Sequence, residues 1–164
     1  MKSVCDTCGL DHDGELFELA YLRPDAVVAM DDESRAARVR ESNDICIIDD
    51  SRFFLRGTLP LPVHGRDDVY MLGVWVEVSA TSFALIHELW REPAQADEPP
   101  FEATLANDVR NHPGSLGDAA ALQLTGPKTR PSVFAVDPAH PLAIEQREGI
   151  SFHRATGYTY PGSV

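Results

Sequence analysis

Lysine is almost missing from this 164-residue chain: only Lys2 and Lys128 occur. With 14 Lys+Arg against 26 Asp+Glu, the formal net charge is −12. Proteins that follow a phosphate backbone need a basic stripe to displace counterions, and none is present, so nucleic acid is not expected as a direct partner. Cysteine is scarce too. Three residues, an odd number, give no disulfide framework and suggest a reducing compartment. No apolar run approaches the roughly 18 residues of a membrane-spanning helix. The start, MKSVCDTCGLDHD, has no apolar stretch of the secretion-signal type, so a cytoplasmic location is expected. A nucleophile elbow, a Walker loop, a dinucleotide fingerprint and an HExxH pair are all missing, which leaves no local signature of catalysis.

What is present suits one domain spanning 1–164. The hydrophobic share is 43%, and a chain of this length buries most of its apolar surface on folding. The acidic excess is compatible with a basic protein partner, although solubility is the simpler reading.

The order of elements predicts an α+β fold: a mainly antiparallel or mixed sheet, two or three helices and a cysteine-containing arm over 1–14. Asp31 to Ser42 places acids before arginines, the order that suits a helix dipole, and reads as a surface helix. Ile45–Ile48 and Arg52–Leu61 read as strands about an Asp49-Asp50-Ser51 turn, with Pro60 and Pro62 ending the second or placing it at an edge. Val69–Ser79 is the strongest strand signal, and Gly73 within it suggests a bulge or a close backbone approach. Residues 81–91 read as an amphipathic helix on Phe83, Ile86, Leu89 and Trp90. The stretch 101–117 is ambiguous and loop-rich, 121–124 and 132–136 read as strands, and 142–148 reads as a short helix closed by Gly149. Ile150–Arg154 fits either a last strand or a helix start.

Several long stretches together resemble a known family. They are CDTCGLDH (5–12), SNDICIIDDSRFFLRGTLPLPV (42–63), LGVWVEVSATSF (72–83), Glu98-Pro99-Pro100-Phe101 and HPLAIEQREGIS (140–151). On these the chain resembles the bacterial family catalogued as domain of unknown function 2199. The resemblance spans Cys5 to about Arg154, implies a single-domain bacterial protein, and brings no activity with it. Members tend to carry an aromatic- and glycine-rich stretch after the Pro-Pro-Phe run, where this chain has Glu102 to His112, so a binding surface there would be lost or changed.

The cysteines pose a metal question. Cys5-x-x-Cys8-Gly9 has the form of a zinc knuckle: two sulfurs on one turn, and a glycine that lets amide N–H groups face a thiolate. His12 is placed to fold back as a third ligand, and Cys46 is the remaining thiolate, so a structural zinc on Cys5, Cys8, His12 and Cys46 is expected. His64, His140 or His153 are alternatives for the fourth place. A redox pair would need a preceding strand, which the position of the motif does not allow. The plainer reading leaves Cys46 as a small buried hydrophobe and Cys5 and Cys8 as reduced thiols.

Two functions of different class follow. One is a non-catalytic, acidic interaction or accessory protein with a zinc-knuckle-like N-terminus. The other is a small-molecule-binding protein or enzyme with a polar site around His140, Glu145, Arg147 and Arg56. There Glu145 would act as base and Arg147 as anion clamp. The plain alternatives are a capped short helix for 140–147 and a structural ion pair for Arg56 with Asp44, Asp49 or Glu77.

Overall fold

The computed structural model describes residues 18–67 and 69–160. Seven strands follow one another in a single sheet: β1 (Val39–Glu41), β2 (Ile45–Ile48), β3 (Arg52–Pro62), β4 (Val69–Val78), β5 (Phe101–Leu105), β6 (Ala119–Gln123) and β7 (Ser132–Ala135). Each pairs antiparallel with the next, and β7 returns to pair with β3 in parallel at Thr58↔Ser132. Strands β3 to β7 thereby close into a five-stranded barrel, and β1 and β2 extend from the first half of β3.

Alternation along β3 sorts the two faces. Leu55, Leu59 and Leu61 point inward, where they meet Leu72, Val74, Val76, Leu105, Leu122 and Val133 in the main core. Phe54 points outward and joins Cys46, Ile48, Trp75, Val27 and Ala106 in a second apolar layer on the outside of the sheet. The short helix α1 (Asp25–Val28), set off by Pro24, supplies Val27 to cover that layer.

The seam between β3 and β7 has a chemical cause. Thr58 N–H donates across it to the Pro131 carbonyl at 2.9 Å. Two and four residues on, the same side of β3 carries Pro60 and Pro62, which have no N–H to give. The ladder therefore stops after one bridge, and side chain and backbone from further along the chain take over. Gln146 accepts from Ala135 N–H at 2.8 Å and donates to the Val133 and Pro60 carbonyls at 3.1 and 3.5 Å. Ile150 N–H donates to the Pro62 carbonyl, and His64 N–H donates to the Ile150 carbonyl, both at 2.8 Å. Pro60 marks an edge within the strand, and β3 ends at Pro62.

Helix α2 (Asp32–Arg38) starts at an Asp31 cap but is shorter than its polar pattern suggests, because Val39–Glu41 pairs with β2 as β1. Arg35 and Arg38 do stand in the last turn of α2, while Arg40 falls in β1, and all three hold carboxylates around the β1–β2 pair. Arg38 reaches Asp49 at 2.7 Å, Arg40 binds Asp50, and Arg35 and Arg23 both bind Glu41. Asp49 and Asp50 make the β2–β3 turn in left-handed backbone, φ 53° and 54°. Helix α3 (Ala80–Leu89) is capped by Ser79, and a 3-10 turn covers Pro93–Asp97. Helix α4 (Pro141–Glu148) is capped by His140, and α5 (Phe152–Thr159) by Ser151.

The described residues therefore hold five α-helices, against the two or three expected. The excess comes from α1, a single turn, and from α5, whose sequence left strand and helix open. The close approach at Gly73 is real. Tyr21 N–H donates to the Gly73 carbonyl and Gly73 N–H to the Leu19 carbonyl, and a Cβ at Gly73 would lie 2.8 Å from the Ala20 Cβ. Cys5, Cys8 and His12 lie outside the described residues. Among the described residues no helix is long and apolar enough to cross a membrane.

Candidate functional site

The stretch after β5, ambiguous in sequence, folds into a tightly held loop over 106–118. Asn107 is fully buried: its Oδ1 accepts from Trp75 N–H, and its Nδ2 donates to the Arg23 carbonyl and to Asp25 Oδ1. The Asp108 carboxylate accepts from Gly114 N–H and Ser115 N–H, and Ser115 Oγ accepts from Val109 N–H. Pinned at both ends, the loop fixes Asn111 and His112 at its tip, an arrangement typical of functional loops. Asn111 sits in left-handed backbone at φ 71°, and its Nδ2 is buried without a hydrogen-bond partner. A buried orphan donor of this kind costs about 1–3 kcal/mol, and it sits where the backbone is also strained.

Around this tip, α4 and α5 bring His140, Glu145, Arg154 and Tyr158. Tyr158 Oη donates to Glu145 Oε2, so the Tyr158 oxygen accepts from His112 Nε2 at 2.7 Å. His112 Nε2 also lies 3.3 Å from Glu145, and Arg154 Nε holds the other Glu145 oxygen at 2.8 Å. Burial pulls the Glu145 carboxyl upward, but hydrogen bonds from His112, Tyr158 and Arg154 outweigh it and leave Glu145 below its ordinary value. Burial and the Glu145 carboxylate push the Tyr158 phenol far up. Glu145 is thus an ionised acceptor and Tyr158 a fixed donor, and neither is poised for proton transfer near neutrality. Together they orient His112. With Nε2 donating to the Tyr158 oxygen, Nδ1 is the ring nitrogen left over, and it makes no hydrogen bond among the described residues.

His140 has a double duty. Its Nδ1 accepts from Leu142 N–H at 3.0 Å, capping α4, so Nε2 carries the proton and donates to Asp118 Oδ2 at 2.7 Å. The two imidazole rings face each other with centroids 6.3 Å apart. Asn111, His112, Asp118, His140, Glu145 and Arg154 line one cavity of about 270 Å³.

Of the four residues singled out in the sequence, His140 and Glu145 share this cavity. Arg147 does not: it lines a separate apolar groove, where it reaches the Pro138 carbonyl at 3.4 Å and the Glu148 carboxylate at 3.9 Å. Arg56 lies on the outer face of β3, and none of its expected partners holds it, because Asp44 pairs with Arg130, Asp49 with Arg38 and Glu77 with Arg52. His112, Arg154 and Tyr158 were not visible in the sequence. The one available signal was Asn-His-Pro-Gly at 111–114, a turn sequence at the end of the loop-rich stretch.

Cys46 is fully buried among apolar side chains, and that burial pushes its thiol up to about 11. Among the described residues no group of three or more His, Cys, Asp or Glu is arranged to hold a metal ion. No curated protein and no solved structure matches the chain. The model of one family, described as an uncharacterised protein conserved in bacteria, matches residues 4–150. The match covers most of the chain, including the loop, both histidines and Glu145, and the chain therefore belongs to the family of domain of unknown function 2199.

Proposed function

We propose that the chain binds a small polar molecule in the cavity between the 106–118 loop, α4 and α5. One observation carries this reading. Side chains from three separate stretches of chain converge on a concavity whose tip residue, Asn111, is both strained and short of an acceptor. A ligand oxygen placed at Asn111 would relieve that deficit, and the Arg154 guanidinium and the Asp118 carboxylate line the same cavity as donor and acceptor. Glu145, held below its ordinary value by its three hydrogen-bond donors, is not the group through which proton transfer would run. The cavity size restricts the ligand to a few heavy atoms.

The test follows the His112 and His140 ring protons by NMR while acetate, acetamide and glycine are titrated in turn. Binding of at least one probe should shift both rings saturably. Asn111→Gly, which suits the left-handed backbone and so preserves the fold, should weaken that binding tenfold or more. No saturable shift with any probe, or undiminished binding in Asn111→Gly, overturns the reading.

A structural zinc on Cys5, Cys8 and His12 remains part of the proposal, supported by the ligand spacing. The apolar layer around Cys46 favours a small buried hydrophobe at that position over a fourth ligand. Elemental analysis of protein purified without added metal tests the knuckle, and a zinc content well below one per chain removes it.

A further inference from the structure

A second, larger cavity of about 800 Å³ lies on the far side of the β3–β7 closure and shares no lining residue with the first. Thr58 and Ser132, the bridge pair that closes the barrel, line it. Lys128 and Arg130 come from the loop after β6, and Trp90 from the end of α3. The loop is held in place before any ligand arrives. Thr125 Oγ1 and Thr129 Oγ1 are 2.6 Å apart, Thr125 Oγ1 donates to the Arg130 carbonyl, and Gly126 N–H donates to the buried Gln95 side chain.

Charge is what sets this cavity apart. On the outer face around β1 to β3, Arg35, Arg38, Arg40 and Arg52 each hold a carboxylate. Arg56, two residues before Thr58 on the same face of β3, holds none. Its Nε is buried without a partner, and its Nη1 reaches only the Asn43 carbonyl, at 3.4 Å. Asp44, the acid that acts on it, is already bound by Arg130 at 2.9 Å. Burial and the Arg130 guanidinium both disfavour the charged form of Arg56. Lys128 has no ion pair among the described residues. Of the charged residues that line the cavity, Lys128 and Arg130 are cations and Asp44 is the one carboxylate, a local positive excess in a chain of net charge −12.

We infer that this cavity binds a small organic anion, with its oxyanion against Lys128 and Arg130 and an apolar, ring-sized body against Trp90. The inference does not rest on the first site, and either can fail alone.

Amide resonances of Gly126–Arg130 in the full chain report on it during titrations with adenosine 5′-monophosphate, benzoate, adenosine and inorganic phosphate. Adenosine 5′-monophosphate or benzoate should produce saturable shifts, and which of them does so identifies a phosphate ester or a carboxylate. Affinity should fall tenfold or more in Lys128→Gln and in Arg130→Gln, and should weaken with added salt. The proposal is overturned if neither anion saturates at millimolar concentration. It is equally overturned if adenosine binds as well as its monophosphate, if inorganic phosphate binds as tightly as either organic anion, or if both variants bind like the parent.

Discussion

Glu41 shows what one residue contributes to this surface. Hydrogen bonds from Arg35 and Arg23 hold its carboxyl down at about 2, against 4.5 for a free glutamate. A carboxyl lowered on folding contributes stability that is complete above the free value and is lost as pH falls towards the folded one. Parent protein should therefore lose stability between about pH 4.5 and 2. Glu41→Gln should be the less stable at neutral pH, with the gap narrowing across that window in urea unfolding midpoints. A gap independent of pH contradicts the assignment. Cys46 makes the opposite case, a titratable group that burial keeps neutral. Peptide-resolved alkylation at pH 8 should leave Cys46 unlabelled in the native chain, with or without a chelator, and label it only on unfolding. Labelling that appears on chelation would make it a metal ligand. Of this residue scale, the sequence showed His140 and Glu145, because they sit five apart at a legible helix start. It hid His112, Arg154 and Tyr158, whose meeting depends on how a loop and two helices pack.

Among the elements, strands marked by β-branched runs and helices marked by caps were legible. The Asp49-Asp50-Ser51 turn, β4, α3 and α4 fall within a residue or two of where periodicity and capping place them. Two elements were misjudged for identifiable reasons. Val39–Glu41 has the polarity of a helix face, but it pairs with β2, and its Arg40 binds Asp50 of the β2–β3 turn. Phe101–Leu105 carries little strand propensity and is fixed as β5 by β4 on one side and β6 on the other. The element most exposed to a single change is the β3–β7 seam. Gln146→Ala strips the partner from Ala135 N–H and from the Val133 and Pro60 carbonyls, and should cost about 2 kcal/mol by denaturant unfolding. A cost below a few tenths would mean that water closes the seam equally well.

For the molecule as a whole, closure was the part the sequence did not carry. An α+β chain with an antiparallel or mixed sheet was readable, but the barrel depends on one parallel bridge and on Gly57, neither of which leaves a pattern. A Cβ at Gly57 would lie 2.6 Å from Val133 Cγ2 and 2.9 Å from the Pro131 carbonyl oxygen, across that seam. Gly57→Ala should lower global stability by about 1–3 kcal/mol, as overpacking does. Gly73→Ala, whose Cβ meets Ala20 and the Leu19 carbonyl, should leave the unfolding midpoint nearly unchanged while removing hydrogen-exchange protection at Tyr21 and Gly73. Equal losses of stability in the two variants would show that the 19–21 segment and the barrel are one cooperative unit.

The half-laddered seam also sets an order of events during synthesis. A chain emerging from the ribosome holds β3 to β7 before it holds Gln146 or Ile150, the groups that complete the join. Until those residues appear, the nascent sheet carries an open margin along β3 and β7, and two of the positions on its β3 side are prolines that offer a stray strand no N–H to bind. The residues that delay closure thus also guard the margin while it waits.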